Sequence, residues 1–344
     1  MIEPVLTIVV PCFNEEQVLP QTITELEKVL RNLVDENLIA SSSRILLVDD
    51  GSRDNTWRLI YKASLHNQMI KGLKLSRNVG HQNALLAGLN SAKEVSDCVI
   101  SIDADLQDDT DVIREFIIKY RDGCEIVYGV RRKRDTDTVF KRKTAEMFYS
   151  IMKKMGVNLV YNHADFRLMS KRALQELEKF QEVNMFLRGI VPLIGFQSAS
   201  VYYDRKERLA GETKYPLKKM LAFAFDGITS FSVTPIRMVL LIGFLSFFGS
   251  CACGIYFLIL KLIGETATGW TSLITSIWLL GGLQLIAMGL IGEYIGKIYK
   301  ESKGRPKYII DFNPFLPITG RQTNSQGLDH EAYTLNLKKL PETN

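Results

Sequence analysis

The sequence predicts an α/β fold, a parallel sheet covered on both faces, followed by a membrane module of two helices. Three observations predict it. Short apolar runs at Leu6–Val10, Arg44–Val48 and Cys98–Ile102 alternate with helix-like stretches near Val18–Leu33, Thr56–His66 and Gln82–Ala92, the alternation of a parallel sheet. Each apolar run ends at once in polar residues: PCFNEE, DDGSRDNT and DADLQDD. Further on, Val239–Leu260 and Trp270–Gly292 carry no charged residue, and each is long enough to cross a hydrocarbon core of about 30 Å.

The elements follow in order. The N-terminus, MIEPVLTIVVPCFNEE, has no basic stretch before its apolar one and soon meets acids. It reads as a strand and not as a signal peptide. In open α/β sheets ligands sit beyond the C-terminal strand ends, where the three polar segments fall. After the first strand, Phe13 or Glu15 could meet a base. After the second, Asp49 or Asp50 could accept hydrogen bonds from a base or ribose, and Gly51 permits close approach. Turn chemistry, with Asp54 and Asn55 capping the helix at Thr56, is the ordinary alternative. After the third, Asp103 and Asp105 are one residue apart and can point at one divalent ion, with Gln107 beside them. Mg²⁺ or Mn²⁺ prefers such oxygen ligands and usually keeps a substrate diphosphate in its shell. Asp108, Asp109 and Asp111 suit the N-terminus of a helix over Val112–Tyr120.

Glu125–Gly129 reads as a further strand. Arg131–Lys143 is a basic loop entering a helix over Thr144–Met155. Val183–Ile194 and Met220–Ile228 read as amphipathic helices. The second, after Lys218 and Lys219, suits a bilayer interface. The two apolar runs are joined only by Lys261–Gly269 and form a hairpin. Lys218, Lys219 and Arg237 precede it, and Lys297, Lys300, Lys303, Arg305 and Lys307 follow it. This bias puts both ends in the cytoplasm. The tail from Asn324 is polar. The expected divisions are 1–215 α/β domain, 216–237 interfacial helices, 238–300 hairpin and 301–344 tail.

A mean hydropathy of +0.02 and a net charge of +5 are averages over unlike parts. Residues 1–120 carry 12 Lys/Arg against 18 Asp/Glu; residues 121–237 carry 22 against 13. An acidic site on one half and an anionic partner on the other are implied. A membrane surface or a phosphate substrate fits beside the apolar runs better than nucleic acid, which calls for a basic face interleaved with aromatics. The five cysteines are odd in number and lack a CxxC pair, so neither a disulfide framework nor a zinc site is expected.

PCFNEE, VDDGSRDNT, LSRNVGHQNALLAGL and DADLQDD, in this order and spacing, resemble glycosyltransferase family 2. YGVRRKR, ADFRLMSKRAL, FLRGIVPLIGF, RLAGETKYPLKK and the paired apolar runs resemble its polyprenyl-phosphate glycosyltransferases, the bactoprenol and dolichyl-phosphate group. The resemblance covers roughly residues 4–310 and implies a GT-A nucleotide-sugar-binding domain. It implies that Pro11, Phe13, Glu15, Asp50 and Arg77 contact the nucleotide, and that Asp103 lies near ribose or metal. Asp105 and Gln107 match the ligands of Mg²⁺ or Mn²⁺. Arg131 matches the arginine at the donor diphosphate, and Arg142, Arg208 and Lys214 match basic positions for phosphate. Asp165 matches a catalytic position, as base or as a residue that orients the sugar. Asn162-His163-Ala164 departs from the usual Thr-Gly, and Ala145 replaces a common serine.

The implied reaction is inverting transfer of a hexose from a nucleotide sugar to undecaprenyl phosphate at the cytoplasmic membrane face. UDP-glucose or UDP-N-acetylglucosamine leads as donor, with GDP-mannose as the alternative. A homo-oligomer is also implied, a tetramer being one form, with the segment around Arg305–Asp311 pairing with a neighbour. A processive polysaccharide synthase would show a QxxRW-like motif, and none of Trp57, Trp270 and Trp278 follows an arginine. An inactive membrane-anchored scaffold is opposed by the intact acidic and basic positions.

Overall fold

The computed structural model describes residues 3–132, 163–182, 186–204, 229, 234–263 and 269–315. Its strands are β1 (Leu6–Cys12), β2 (Arg44–Asp49), β3 (Ile70–Leu75), β4 (Cys98–Ser101), β5 (Ile126–Arg131), β6 (His163–Ser170), β7 (Ser198–Tyr203) and β8 (Ile310–Phe312). Its helices are α1 (Leu19–Asp35), α2 (Thr56–His66), α3 (His81–Ala92), α4 (Ile113–Arg121), α5 (Lys171–Glu178), α6 (Leu187–Ile190), α7 (Thr234–Ile263) and α8 (Trp270–Ser302).

The strands form one sheet in the order β7-β5-β6-β4-β1-β2-β3-β8. β1 lies parallel to both β2 and β4, and β3 continues the parallel run beside β2. The expected parallel arrangement holds for β4-β1-β2-β3, and the sheet as a whole is mixed. β6 runs antiparallel to β4 and β5, and β8 runs antiparallel to β3. Asp165 and Arg167 interrupt the apolar pattern of β6, the pattern by which a strand is read.

Alternate residues of β1 point to opposite faces. Leu6, Ile8 and Val10 enter a core with Leu19, Leu26, Leu30 and Phe116 from α1 and α4. Val9 faces the other side and meets Ala84, Leu85 and Leu174 from α3 and α5. The sheet is covered on both faces, as expected. Gly88 brings α3 down onto it: a Cβ there would lie 2.4 Å from Val9 Cγ1 and 2.8 Å from Val48 Cγ2.

Of the amphipathic helix expected over Val183–Ile194, residues 183–185 lie outside the described residues, and the rest is corrected to the short α6 followed by a 3-10 turn, Val191–Ile194, with Pro192 in its first turn. Pro192 has no N–H to continue the α-helical ladder. The helices expected at Thr144–Met155 and Met220–Ile228 lie outside the described residues.

α7 and α8 are continuous over 30 and 33 residues, and they touch each other. Their side chains stand largely exposed, Leu262 by 80% and Leu279 by 72%. Among the described residues one stretch, Leu279–Ser302, is long and apolar enough to cross a membrane; Thr234–Ser246 is a shorter apolar piece. Beyond α8 the chain returns to the sheet. β8 pairs with β3, Lys74 lies 3.4 Å from Asp311, and Phe312 meets Trp57 edge-on. The end of the segment expected to pair with a neighbour thus pairs within this chain.

Candidate active site

The C-terminal ends of β1, β2 and β4 lie side by side, and their loops are knitted together. Asn14, at φ +55°, donates its N–H to Ser52 Oγ, and its side-chain Oδ1 accepts from the Arg53 N–H. The Glu15 N–H donates to Thr56 Oγ1 at 2.9 Å. Asp54 caps α2 by accepting from the Thr56 N–H. Pro11 is buried in β1, whereas Phe13 is 39% exposed at the lip.

Asp50 is buried and spends both oxygens on the next loop. Oδ1 accepts from the Val79 N–H at 2.7 Å and Oδ2 from the Gly80 N–H at 3.0 Å. Burial pushes its pKa up, and the two backbone bonds pull against that. Its first task is therefore to fix the loop that opens α3. Gly51, at φ +67°, lies against the same loop; a Cβ there would meet the Asn78 nitrogen at 2.6 Å. Arg77 stands exposed on it.

β4 delivers Asp103, Asp105 and Gln107. Thr22 of α1 donates to the Ala104 carbonyl at 2.7 Å and pins this turn. The Gln107 N–H donates to Asp105 Oδ1 at 3.3 Å. Asp103 is 35% exposed at its side chain. Burial first, relieved by His81 and reinforced by Asp165, Asp108 and Asp105, moves its pKa up to about 6. Asp108, taken from sequence as a helix-terminal acid, instead turns inward. Its Oδ1 accepts from Arg131 Nη2 at 3.0 Å and from the Tyr203 hydroxyl, while its buried Oδ2 has no hydrogen-bond partner. Arg131 is thus held at the end of β5 by an ion pair.

Asp165, on β6, is the hub of a second cluster. Oδ1 accepts from Arg167 Nη2 at 2.6 Å and Arg188 Nε at 3.3 Å; Oδ2 accepts from Arg188 Nη2 at 3.0 Å and Gln82 Nε2 at 3.2 Å. Burial would raise its pKa, but Arg188, His81 and Arg167 hold it well below the carboxylate range. Burial lowers the Arg167 pKa, yet a guanidinium keeps its proton in proteins. A carboxylate this stabilised as an anion is a poor proton acceptor. His81 bridges the clusters, its Nε2 being 3.4 Å from Asp103 Oδ1 and 3.7 Å from Asp165 Oδ2.

The expected residues Pro11, Phe13, Glu15, Asp50, Arg77, Asp103, Asp105, Gln107, Arg131 and Asp165 therefore lie on neighbouring strand ends and the loops that join them. Arg142, Arg208 and Lys214 lie outside the described residues. His81, Gln82, Arg167, Arg188 and Tyr203 had no assigned role from sequence. The first four sit inside quoted motifs, GHQNALLAGL, ADFRL and FLRG, which were the available signal. Among the described residues no three His, Cys, Asp or Glu side chains close into a metal cage. Two carboxylates and an amide are a half-set of hard donors, which Mg²⁺ or Mn²⁺ completes with phosphate oxygens and water. The donor set fits such an ion.

The family model described as glycosyl transferase family 2 matches residues 7–178, which span every strand end just described. The chain belongs to glycosyl transferase family 2. An uncharacterized glycosyltransferase of Bacillus subtilis, YkoT, is 65% identical over 90% of this chain and 92% of its own length. A bactoprenol glucosyl transferase of Shigella phage SfV is 40% identical over 89% of this chain and 97% of its own length. Among solved structures, glucosyl-3-phosphoglycerate synthase of Mycobacterium tuberculosis, crystallised with Mn²⁺, UDP and phosphoglyceric acid, matches 66% of this chain and 76% of its own. It is 16% identical with a TM-score of 0.41, and at that distance the likeness carries nothing about the site.

Proposed function

We propose that this glycosyltransferase moves a hexose from a nucleotide sugar to undecaprenyl phosphate at the cytoplasmic face of a membrane, with UDP-glucose or UDP-N-acetylglucosamine as donor. The observation that carries the reading is the 40% identity to a bactoprenol glucosyl transferase over 89% of this chain, a span too long to leave out both apolar helices. In this reading residues 1–215 are the catalytic domain, 216–237 the interfacial helices, 238–300 a two-helix anchor built from α7 and α8, and 301–344 the tail. The chain assembles as a homo-oligomer.

Pro11, Phe13, Glu15 and Asp50 bound the nucleotide pocket, and Asp50 also sets the loop that bears Arg77. Asp103, Asp105 and Gln107 would hold Mg²⁺ or Mn²⁺ on the donor side of the site. When bound, the ion neutralises charge on the leaving diphosphate. Arg131, Arg142, Arg208 and Lys214 gather phosphate, the arginines as rigid forks and the lysine as a compact charge. A lipid phosphate oxygen attacks the anomeric carbon. The carbon–oxygen bond to the diphosphate breaks, its electron pair leaves with the nucleoside diphosphate, and the configuration inverts. A phosphate monoester is already largely ionised near neutral pH (its second pKa is about 6), so no strong base is required. Asp165, saturated by Gln82, Arg167 and Arg188, orients groups and takes no proton.

The test is the full chain in detergent with undecaprenyl phosphate, Mg²⁺ or Mn²⁺ and a panel of labelled nucleotide sugars. Lipid-linked hexose from a UDP-sugar, lost in chelator and in Asp105→Ala, is the expected result. Transfer from GDP-mannose alone would overturn the donor, and full activity in chelator would overturn the metal.

A further inference from the structure

We propose that His81 is a positioning residue for Asp103, linking the carboxylate on the donor side of the site to the buried Asp165 cluster. The inference rests on the reading of Asp103, Asp105 and Gln107 as the metal-bearing half-set.

The backbone that carries His81 has little freedom. The residues just before it are clamped, since the Val79 and Gly80 N–H groups both donate to buried Asp50. Gly80 takes φ +88°, a conformation that side-chain-bearing residues rarely adopt. The helix that follows is held down on β1 and β2 at Gly88. The imidazole therefore projects from a fixed root.

Its neighbours are equally fixed on one side only. Asp165 cannot turn, because Gln82, Arg167 and Arg188 occupy both of its oxygens. Asp103 is the looser partner, with its side chain about a third exposed. An Nε2 standing 3.4 Å from Asp103 Oδ1 and 3.7 Å from Asp165 Oδ2 can lend the order of the buried cluster to the exposed carboxylate. It also places a donor between two carboxylates that would otherwise face each other. Groups standing behind a metal-facing carboxylate orient it, and their loss typically costs about 10–100-fold in metal affinity or activity.

The test uses the full chain in detergent with UDP. Mn²⁺ binding is followed by electron paramagnetic resonance, and kcat and KM for the nucleotide sugar are measured in parallel. His81→Ala is expected to weaken Mn²⁺ binding by roughly 10-fold or more and to lower kcat more than it raises KM. His81→Gln, whose amide nitrogen can donate from nearly the same place as Nε2, is expected to recover most of the Mn²⁺ affinity. His81 is half-exposed, so both variants leave the core untouched. Wild-type Mn²⁺ affinity in His81→Ala, or a glutamine variant no better than alanine, would overturn the positioning role. Wild-type chain that binds no Mn²⁺ with UDP would instead overturn the metal site itself.

Discussion

Around the two oxygens of Asp165 stand four nitrogen donors from Gln82, Arg167 and Arg188. Arg167 is itself 2% exposed. Breaking a buried pair by neutralising one member strands the other charge and costs about 3–5 kcal/mol. Asp165→Asn is therefore expected to lower the melting temperature sharply while keeping side-chain volume. Because the folded pKa of Asp165 is depressed, its contribution is complete above the unfolded value of about 3.9. It is lost as pH falls from there through the folded pKa. The acid limb of the wild-type stability curve should carry this loss, and that of Asp165→Asn should lack it. Thermal melts across acidic pH decide the matter; identical curves would contradict the pairing. Sequence reading reached Asp165 through the ADFRL stretch. It did not reach the partners, because Gln82 and Arg188 lie 83 and 23 residues away along the chain. Distance in sequence hides a cluster that the sheet assembles.

The elements were legible where burial on both faces leaves a continuous apolar run. β1, β2 and β4 are such strands, and α2 begins and ends where its pattern does. β3, with its sequence IKGLKL, is broken by Lys71 and Lys74, β6 carries Asp165 and Arg167, and β8 has three residues. Each of these owes its place to pairing with a neighbour and not to its own composition. α3 shows the same dependence at a single position. By helix propensity alone its Gly88 is a weak point, since alanine in a helix interior is better by about 1 kcal/mol. In the fold an added Cβ meets Val9 Cγ1 at 2.4 Å and Val48 Cγ2 at 2.8 Å. Both valines are fully buried, and β-branched side chains have few rotamers to escape into. Overpacking costs about 1–3 kcal/mol and so outweighs the propensity gain. Gly88→Ala should melt below wild type and lose transfer activity with it, because α3 carries His81 at its other end. A variant that melts above wild type would show that the helix can lift without cost.

At the scale of the molecule, strands of the acidic first third share one sheet with β5, β6 and β7, the described strands of the basic middle third, and a short connection ties that sheet to α8. From Ser302 at the end of α8 to Ile310 at the start of β8 the chain has eight steps, so the two lie within about 28 Å even if fully extended. The Lys74–Asp311 pair and the Trp57–Phe312 contact seat the strap against β3 and α2. If α8 spans a bilayer, the sheet therefore stays close to the membrane face, where an acceptor whose phosphate sits at the headgroup level can reach it. In the proposed orientation, Lys297, Lys300, Lys303 and Arg305 put that face in the cytoplasm. In a chain with Cys251 and Cys253 replaced by serine, Ser302→Cys should resist a membrane-impermeant maleimide in intact cells and react after the inner face is opened. Cys12, Cys98 and Cys124 are buried and give little background. Labelling in intact cells would reverse the orientation. Release of the wild-type chain from membranes by alkaline carbonate would remove the span, and with it the reason for the sheet to stand at the bilayer.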